Sequence, residues 1–117
     1  MTFEKAKDYY LNKAGNERSN CGQAILKAFQ EKFSLSDDVI SQFKAYGAGK
    51  APEGFCGALY AAKVILEKQS PEKFQDVEKA FLACAGSTKC KEIRALHKLS
   101  CLGCIEKAAE LLEKAEL

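Results

Sequence analysis

At 117 residues the chain is long enough for one domain, 1–117, with a real core, and too short for two. Apolar residues make up 47% and charged residues 29%, which excludes a disordered chain, and a net charge of +2 is too small to argue for nucleic acid or an acidic membrane surface. No apolar stretch is long enough for membrane insertion, and the N-terminus lacks the apolar centre of a secretory signal, so the expected compartment is the reducing cytoplasm.

The opening stretch, MTFEKAKDYYLNKAG, reads as an amphipathic helix with Phe3, Ala6, Tyr10 and Ala14 on one face. A second stripe follows, Cys21, Ala24, Ile25, Ala28, Phe29 and Phe33, spaced as one continuous helical face. Ser19 or Asn20 stands where its cap belongs. Ser36 reads as the N-cap of a third helix, with Asp37 and Asp38 well placed in its first turn, Val39, Ile40, Phe43 and Tyr46 inside, and Gly47 at its end. GAGKAPEG is the one clear loop; its GAGK lacks the spacing and the following Ser/Thr of a phosphate loop.

A fourth helix is expected from about Phe55 to Lys68. It is apolar nearly all round apart from Lys63, which suits the centre of a bundle. Ser70 and Pro71 start a fifth, with Phe74, Val77, Phe81 and Cys84 on its inner face and Gly86 as its stop. Ser87 or Thr88 caps a sixth, with Ile93 and Leu96 inside. Ser100 caps the last, which runs through Ile105, Ala108, Ala109 and Leu112. Period-2 alternation is absent, so the expected fold is all-α, a single small bundle of six or seven short helices.

Six cysteines lie on this map. Cys21, Cys56, Cys90, Cys101 and Cys104 fall at helix starts or within the first turn, whereas Cys84 reads as a core residue. First-turn N–H groups lack helical partners and carry partial positive charge, so a thiolate there is stabilised and its pKa falls from ~8.5 toward roughly 3.5–7.5. Arg18, Lys50, Lys89, Lys91 and Lys98 are near in sequence and add to that effect. Cysteine is also a common small hydrophobe, and Cys21 continues a core stripe, so for any single thiol the structural reading competes. Repetition at helix starts in a reducing compartment favours chemistry. CLGC is a Cys-x-x-Cys motif at a helix start, without the strands that a thioredoxin setting needs. The single histidine, His97, is too far along its helix to reach Cys90 and reads as structural.

Assembled, NCGQAIL, the Gly-rich loop running into CGALYA, GSTKCKEI and CLGCIEKAAELL resemble the redox-active family C_GCAxxG_C_C, from Asn20 to about Leu112. The resemblance maps the family's four cysteines to Cys21, Cys56, Cys90 and either Cys101 or Cys104. Ala61 stands where the family's CGAxxG ends in glycine, and Cys84 is additional. It implies redox-active cysteines and, since such proteins are often encoded beside transporters, a redox partner protein or a membrane transporter system as partner. The leading expectation is thiol–disulfide exchange or electron relay. Cys101 attacks, Cys104 resolves, and Cys21, Cys56 and Cys90 store or relay oxidation. One alternative is a zinc or iron–sulfur site on Cys21, Cys56, Cys90 and Cys101. Another is a helical interaction module whose cysteines fill the core.

Overall fold

The structure, a computed structural model, describes Ala6, Tyr10 and residues 20–46, 54–96 and 99–115; for Gln69, Cys101 and Ala115 it describes the backbone alone. The expectations for Phe3, Ala14, Arg18, Ser19, Gly47, Lys50, His97 and Lys98, and for most of the Gly-rich loop, lie outside the described residues.

Helix α1 spans Cys21–Ala28 and is opened by a capping box: the Asn20 side chain accepts from the Gln23 N–H at 2.8 Å, and the Gln23 side chain accepts from the Asn20 N–H at 3.2 Å. The expected long stripe does not form one helix. The chain turns at Phe29 (φ −103°, ψ 6°), and a short α2, Gln30–Phe33, follows. The stripe survives the break because Phe33 N–H still bonds the Phe29 carbonyl at 3.1 Å, with Phe29 fully buried. Ser36 caps α3, Asp37–Gln42, through the Val39 N–H. The segment then tightens into a 3₁₀ turn, Phe43–Tyr46. Side chains three apart eclipse in a 3₁₀ helix, and the Phe43 and Tyr46 rings accordingly meet edge to face at 5.1 Å.

Helix α4, Gly57–Gln69, is the central element, packed against α1, α5 (Pro71–Ala85) and α7 (Cys101–Ala115). Its apolar circumference dictates this position: Ala58, Leu59, Ala61, Ala62 and Ile65 are fully buried. Ala61, where the resemblance expects a glycine, thus packs in the core. Lys63 stays at the rim, its ammonium 5.4 Å from the Phe55 ring centre and 3.9 Å from Glu67. Phe29 at the α1–α2 turn and Phe81, Ile105 and Leu112 from the surrounding helices complete one continuous core with Ile25 and Leu26. Each such side chain contributes about 1.5–3 kcal/mol by leaving water.

The remaining helix ends follow elementary rules. Pro71 occupies the first turn of α5, although Ser70 closes no side-chain cap there. Gly86 ends it at φ 84°, a left-handed conformation that glycine adopts without steric cost. The Ser87 hydroxyl accepts from the Lys89 N–H before α6, Cys90–Leu96. Ser100 caps α7 through the Gly103 N–H at 3.0 Å. Among the described residues extended pairing is limited to one isolated antiparallel bridge between Phe55 and Lys89.

Two burial expectations fail. Cys84 is exposed rather than in the core, because the inner face of α5 is Phe74, Val77, Phe81 and Ala85; the stripe steps four residues after Phe81, not three. Leu96 is 50% exposed, as α6 reaches the core only through Cys90 and Ile93.

Candidate functional site

The sequence repeats one dipeptide at two helix starts, Cys21-Gly22 and Cys56-Gly57. In the fold these two pairs face each other. A Cβ on Gly57 would stand 2.8 Å from the Cys21 sulfur and 3.3 Å from the Gly22 nitrogen; a Cβ on Gly22 would stand 3.0 Å from the Gly57 carbonyl oxygen and 2.6 Å from a ring carbon of Phe43. Real side-chain carbons essentially never come closer than 3.0 Å, so the 2.6 and 2.8 Å approaches could not stand without displacement. The starts of helices α1 and α4 therefore approach this closely because neither position carries a side chain.

This approach brings three thiols into one hydrogen-bonded row. Cys21 shares a hydrogen bond with Cys56, and Cys56 shares another with Cys104. Cys21 is the first residue of α1, Cys56 the N-cap of α4, and Cys104 lies one turn into α7. Cys56 and Cys104 are buried, at 3% and 4% exposure, whereas Cys21 is partly exposed. None of Cys21, Cys56, Cys84, Cys90 and Cys104 is in a disulfide.

The electrostatics reverse one expectation. Helix N–H groups do favour charge on these sulfurs: those of Ala58 and Gly22 act on Cys21, and that of Leu59 acts on Cys56. Cys56 itself closes no side-chain cap hydrogen bond of ordinary geometry. The N–H groups are outweighed. The Cys21 thiol is pushed above the ordinary thiol range, first by the hydrogen bond shared with Cys56 and then by burial. The Cys56 thiol is pushed up to about 12, chiefly by the bond with Cys104, with burial adding and the bond with Cys21 opposing. A proton shared between sulfurs is held more tightly than a proton on an isolated thiol, and buried charge is costly. Cys21 and Cys56 thus rest as neutral thiols near pH 7, not as the acidic thiolates that helix position alone predicts.

Neighbouring groups hold the site in place. The Asn20 side chain, besides capping α1, donates to the Phe43 carbonyl at 2.6 Å, and Gln23 donates to the Ile40 carbonyl at 3.1 Å. These bonds tie α3 and the 3₁₀ turn over the start of α1. Phe43 then packs against Tyr60 at 5.5 Å, and Tyr60 stacks on Phe55 at 6.2 Å, forming an aromatic wall beside the Cys56 segment. On the other side the Cys56 N–H bonds the Thr88 carbonyl at 2.8 Å. That bond and the Phe55–Lys89 bridge lay the start of α6, with buried Cys90, alongside Cys56's segment.

Of the five expected site cysteines, Cys21, Cys56 and Cys104 are brought into contact. Cys90 begins α6 on the adjoining segment, and Cys101 begins α7 with its side chain outside the described residues. Among the described residues no three Cys, His, Asp or Glu side chains are grouped to hold a metal ion, and the Cys101 side chain of the alternative metal set lies outside those residues. Asn20, Gln23, Gly22, Gly57 and Phe43 were not anticipated as parts of the site. The Asn-x-x-Gln spacing is a readable capping-box signature, and the repeated Cys-Gly is a second signal; nothing in the sequence marks Phe43.

A family model described as "Putative redox-active protein (C_GCAxxG_C_C)" matches residues 19–115. No curated protein and no solved structure matches the chain.

Proposed function

The chain belongs to the redox-active C_GCAxxG_C_C family, and from that premise we propose that it works by thiol–disulfide exchange, with Cys56 and Cys104 forming its disulfide. The observation that carries this reading is the hydrogen-bonded contact between their two buried thiols. Cys104 keeps the resolving role expected of it, and Cys56 is the sulfur it bonds. Two thiols give up two electrons and two protons as the S–S bond forms, and a partner disulfide is reduced to two thiols in exchange. Burial of both sulfurs shields the new bond from bulk thiols. The resting neutrality of Cys56 means that exchange accelerates as the pH rises through the thiol range, because the thiolate is the nucleophile. A redox partner protein carrying an exposed disulfide or dithiol fits this chemistry.

Disulfide mapping after equilibration in defined thiol–disulfide buffers tests the proposal. Oxidation should link Cys56 to Cys104. Cys101 lies one turn before Cys104 on α7, so a bond between Cys101 and Cys104 with Cys56 left free would return the chemistry to the Cys-x-x-Cys motif and overturn the assignment. Near-stoichiometric zinc or iron in the anaerobically purified protein, with no disulfide formed at Cys56, would overturn thiol exchange itself.

A further inference from the structure

We infer that the site is a three-thiol relay in which Cys21 is the outer sulfur that meets a disulfide substrate, and Cys56 passes the oxidation inward to Cys104. This rests on the exchange reading above and adds an order of events to it. Three observations carry the order. Cys56 touches both other thiols, so it can bond to either one but not to both at once. Cys56 and Cys104 are 3% and 4% exposed, too little for a substrate sulfur to reach them, whereas Cys21 is partly open to solvent. The Cys21 sulfur also faces two backbone N–H donors, from Gly22 and from Ala58 at the start of α4. Those donors stabilise charge as the sulfur attacks or leaves. Access, together with the preformed donors, selects Cys21.

The chemistry balances with a disulfide, R–S–S–R, as the oxidant. The Cys21 thiolate attacks one sulfur of the substrate; its S–S bond breaks, and the first R–SH leaves with the proton that Cys21 gave up. The Cys56 sulfur attacks Cys21 of the mixed disulfide, a Cys21–Cys56 bond forms, and the second R–SH leaves with the Cys56 proton. Cys104 then attacks Cys56. The Cys56–Cys104 bond forms, and the Cys21 thiolate is released and takes up the Cys104 proton. The net change is one substrate disulfide reduced to two thiols and one Cys56–Cys104 disulfide made. Run backward, the relay reduces Cys56–Cys104 at the expense of an external dithiol.

Gly57 is the positioning residue of this relay. Its missing side chain leaves the space the Cys21 sulfur occupies, since a Cβ there would lie 2.8 Å from it.

The test uses oxidised glutathione as the disulfide and the full chain carrying Cys84→Ser, which removes an exposed thiol that plays no part in the relay. In rapid acid quench of the otherwise unaltered site, the earliest glutathione adduct should map to Cys21, and the end product should be the Cys56–Cys104 disulfide with two glutathione thiols released per chain. Cys56→Ser should accumulate the adduct on Cys21. Cys104→Ser should stop at a Cys21–Cys56 disulfide. Cys21→Ser should slow the appearance of the Cys56–Cys104 disulfide at least tenfold with far-UV circular dichroism unchanged, and Gly57→Ala should slow the first step by displacing Cys21. An earliest adduct on Cys56 or Cys104, or a Cys56–Cys104 disulfide forming at the unaltered rate in Cys21→Ser, would overturn the relay while leaving exchange at Cys56 and Cys104 standing. Absence of any disulfide at Cys56 in every variant would instead overturn the exchange reading beneath it. The quench measurement needs no change at Cys21, so it decides the order even if a Cys21 variant fails to fold.

Discussion

Replacing Gly22 with alanine adds one methyl group where α1, α4 and the 3₁₀ turn converge. That Cβ would lie 2.6 Å from a Phe43 ring carbon and 3.0 Å from the Gly57 carbonyl oxygen. Neither neighbour yields easily. Phe43 is 2% exposed and held between Tyr46 and Tyr60 at ring separations of 5.1 and 5.5 Å, and the Gly57 oxygen is backbone. Overpacking of this kind costs about 1–3 kcal/mol. Alanine recovers up to ~1 kcal/mol of helix propensity, less in a first turn. The net expectation is a loss of about 1–2 kcal/mol, which lowers the melting temperature by roughly 4–8 °C for a domain of this size. Gly103→Ala is the matched control. The atoms nearest its Cβ would be side-chain atoms of Leu99 and Ser100 at 3.3 and 3.4 Å, none nearer than 3.0 Å, so stability should hold or rise by up to ~1 kcal/mol. Thermal and urea denaturation of both variants under reducing conditions read the difference. If Gly22→Ala proved as stable as Gly103→Ala, the close approach of the α1 and α4 starts would be wrong, and with it the thiol row that depends on it.

Under strictly reducing conditions, stability should decline at alkaline pH. Cys56 holds its proton up to about 12 in the fold against ~8.5 in the unfolded chain, so its contribution is complete below ~8.5 and falls by ~1.4 kcal/mol per pH unit above it, with Cys21 acting in the same direction. Urea titrations between pH 7 and 10.5 should show this slope in the unaltered chain and a shallower one in Cys56→Ala; equal slopes would contradict the shared-proton account. Asn20→Ala removes a capping box and a 2.6 Å bond to the Phe43 carbonyl and should cost about 1–2 kcal/mol in urea denaturation, more than Ser36→Ala, which loses a single cap bond at 3.3 Å. In a brief alkylation pulse of the folded protein, mass spectrometry should find Cys84 labelled well before Cys56 and Cys104, since Cys84 alone of these three is exposed.

What the sequence determined by itself was local. The Ser36 and Ser100 caps, the Gly86 stop, the apolar centre of α4 and the placing of thiols at helix starts all follow from interactions within a few residues, and composition and periodicity express these directly. Family membership, too, is carried by the spacing of short motifs along the chain. Tertiary structure alone decided which thiols meet. Cys21 and Cys56 touch because two glycines let two helix ends close on each other, and Cys104 joins them because α7 packs against both α1 and α4. Nothing local distinguishes Cys104 from Cys101, which share one helical turn. The same cause lies behind the misread Cys84: one residue of helix is a rotation of about 100°, so only the packed neighbours of α5 select Ala85 for the core and turn Cys84 outward. Thiol acidity belongs to this second class as well. Helix position argues for a lowered pKa, but a neighbouring sulfur that shares the proton acts in the opposite sense with greater strength, and that neighbour arrives from another helix.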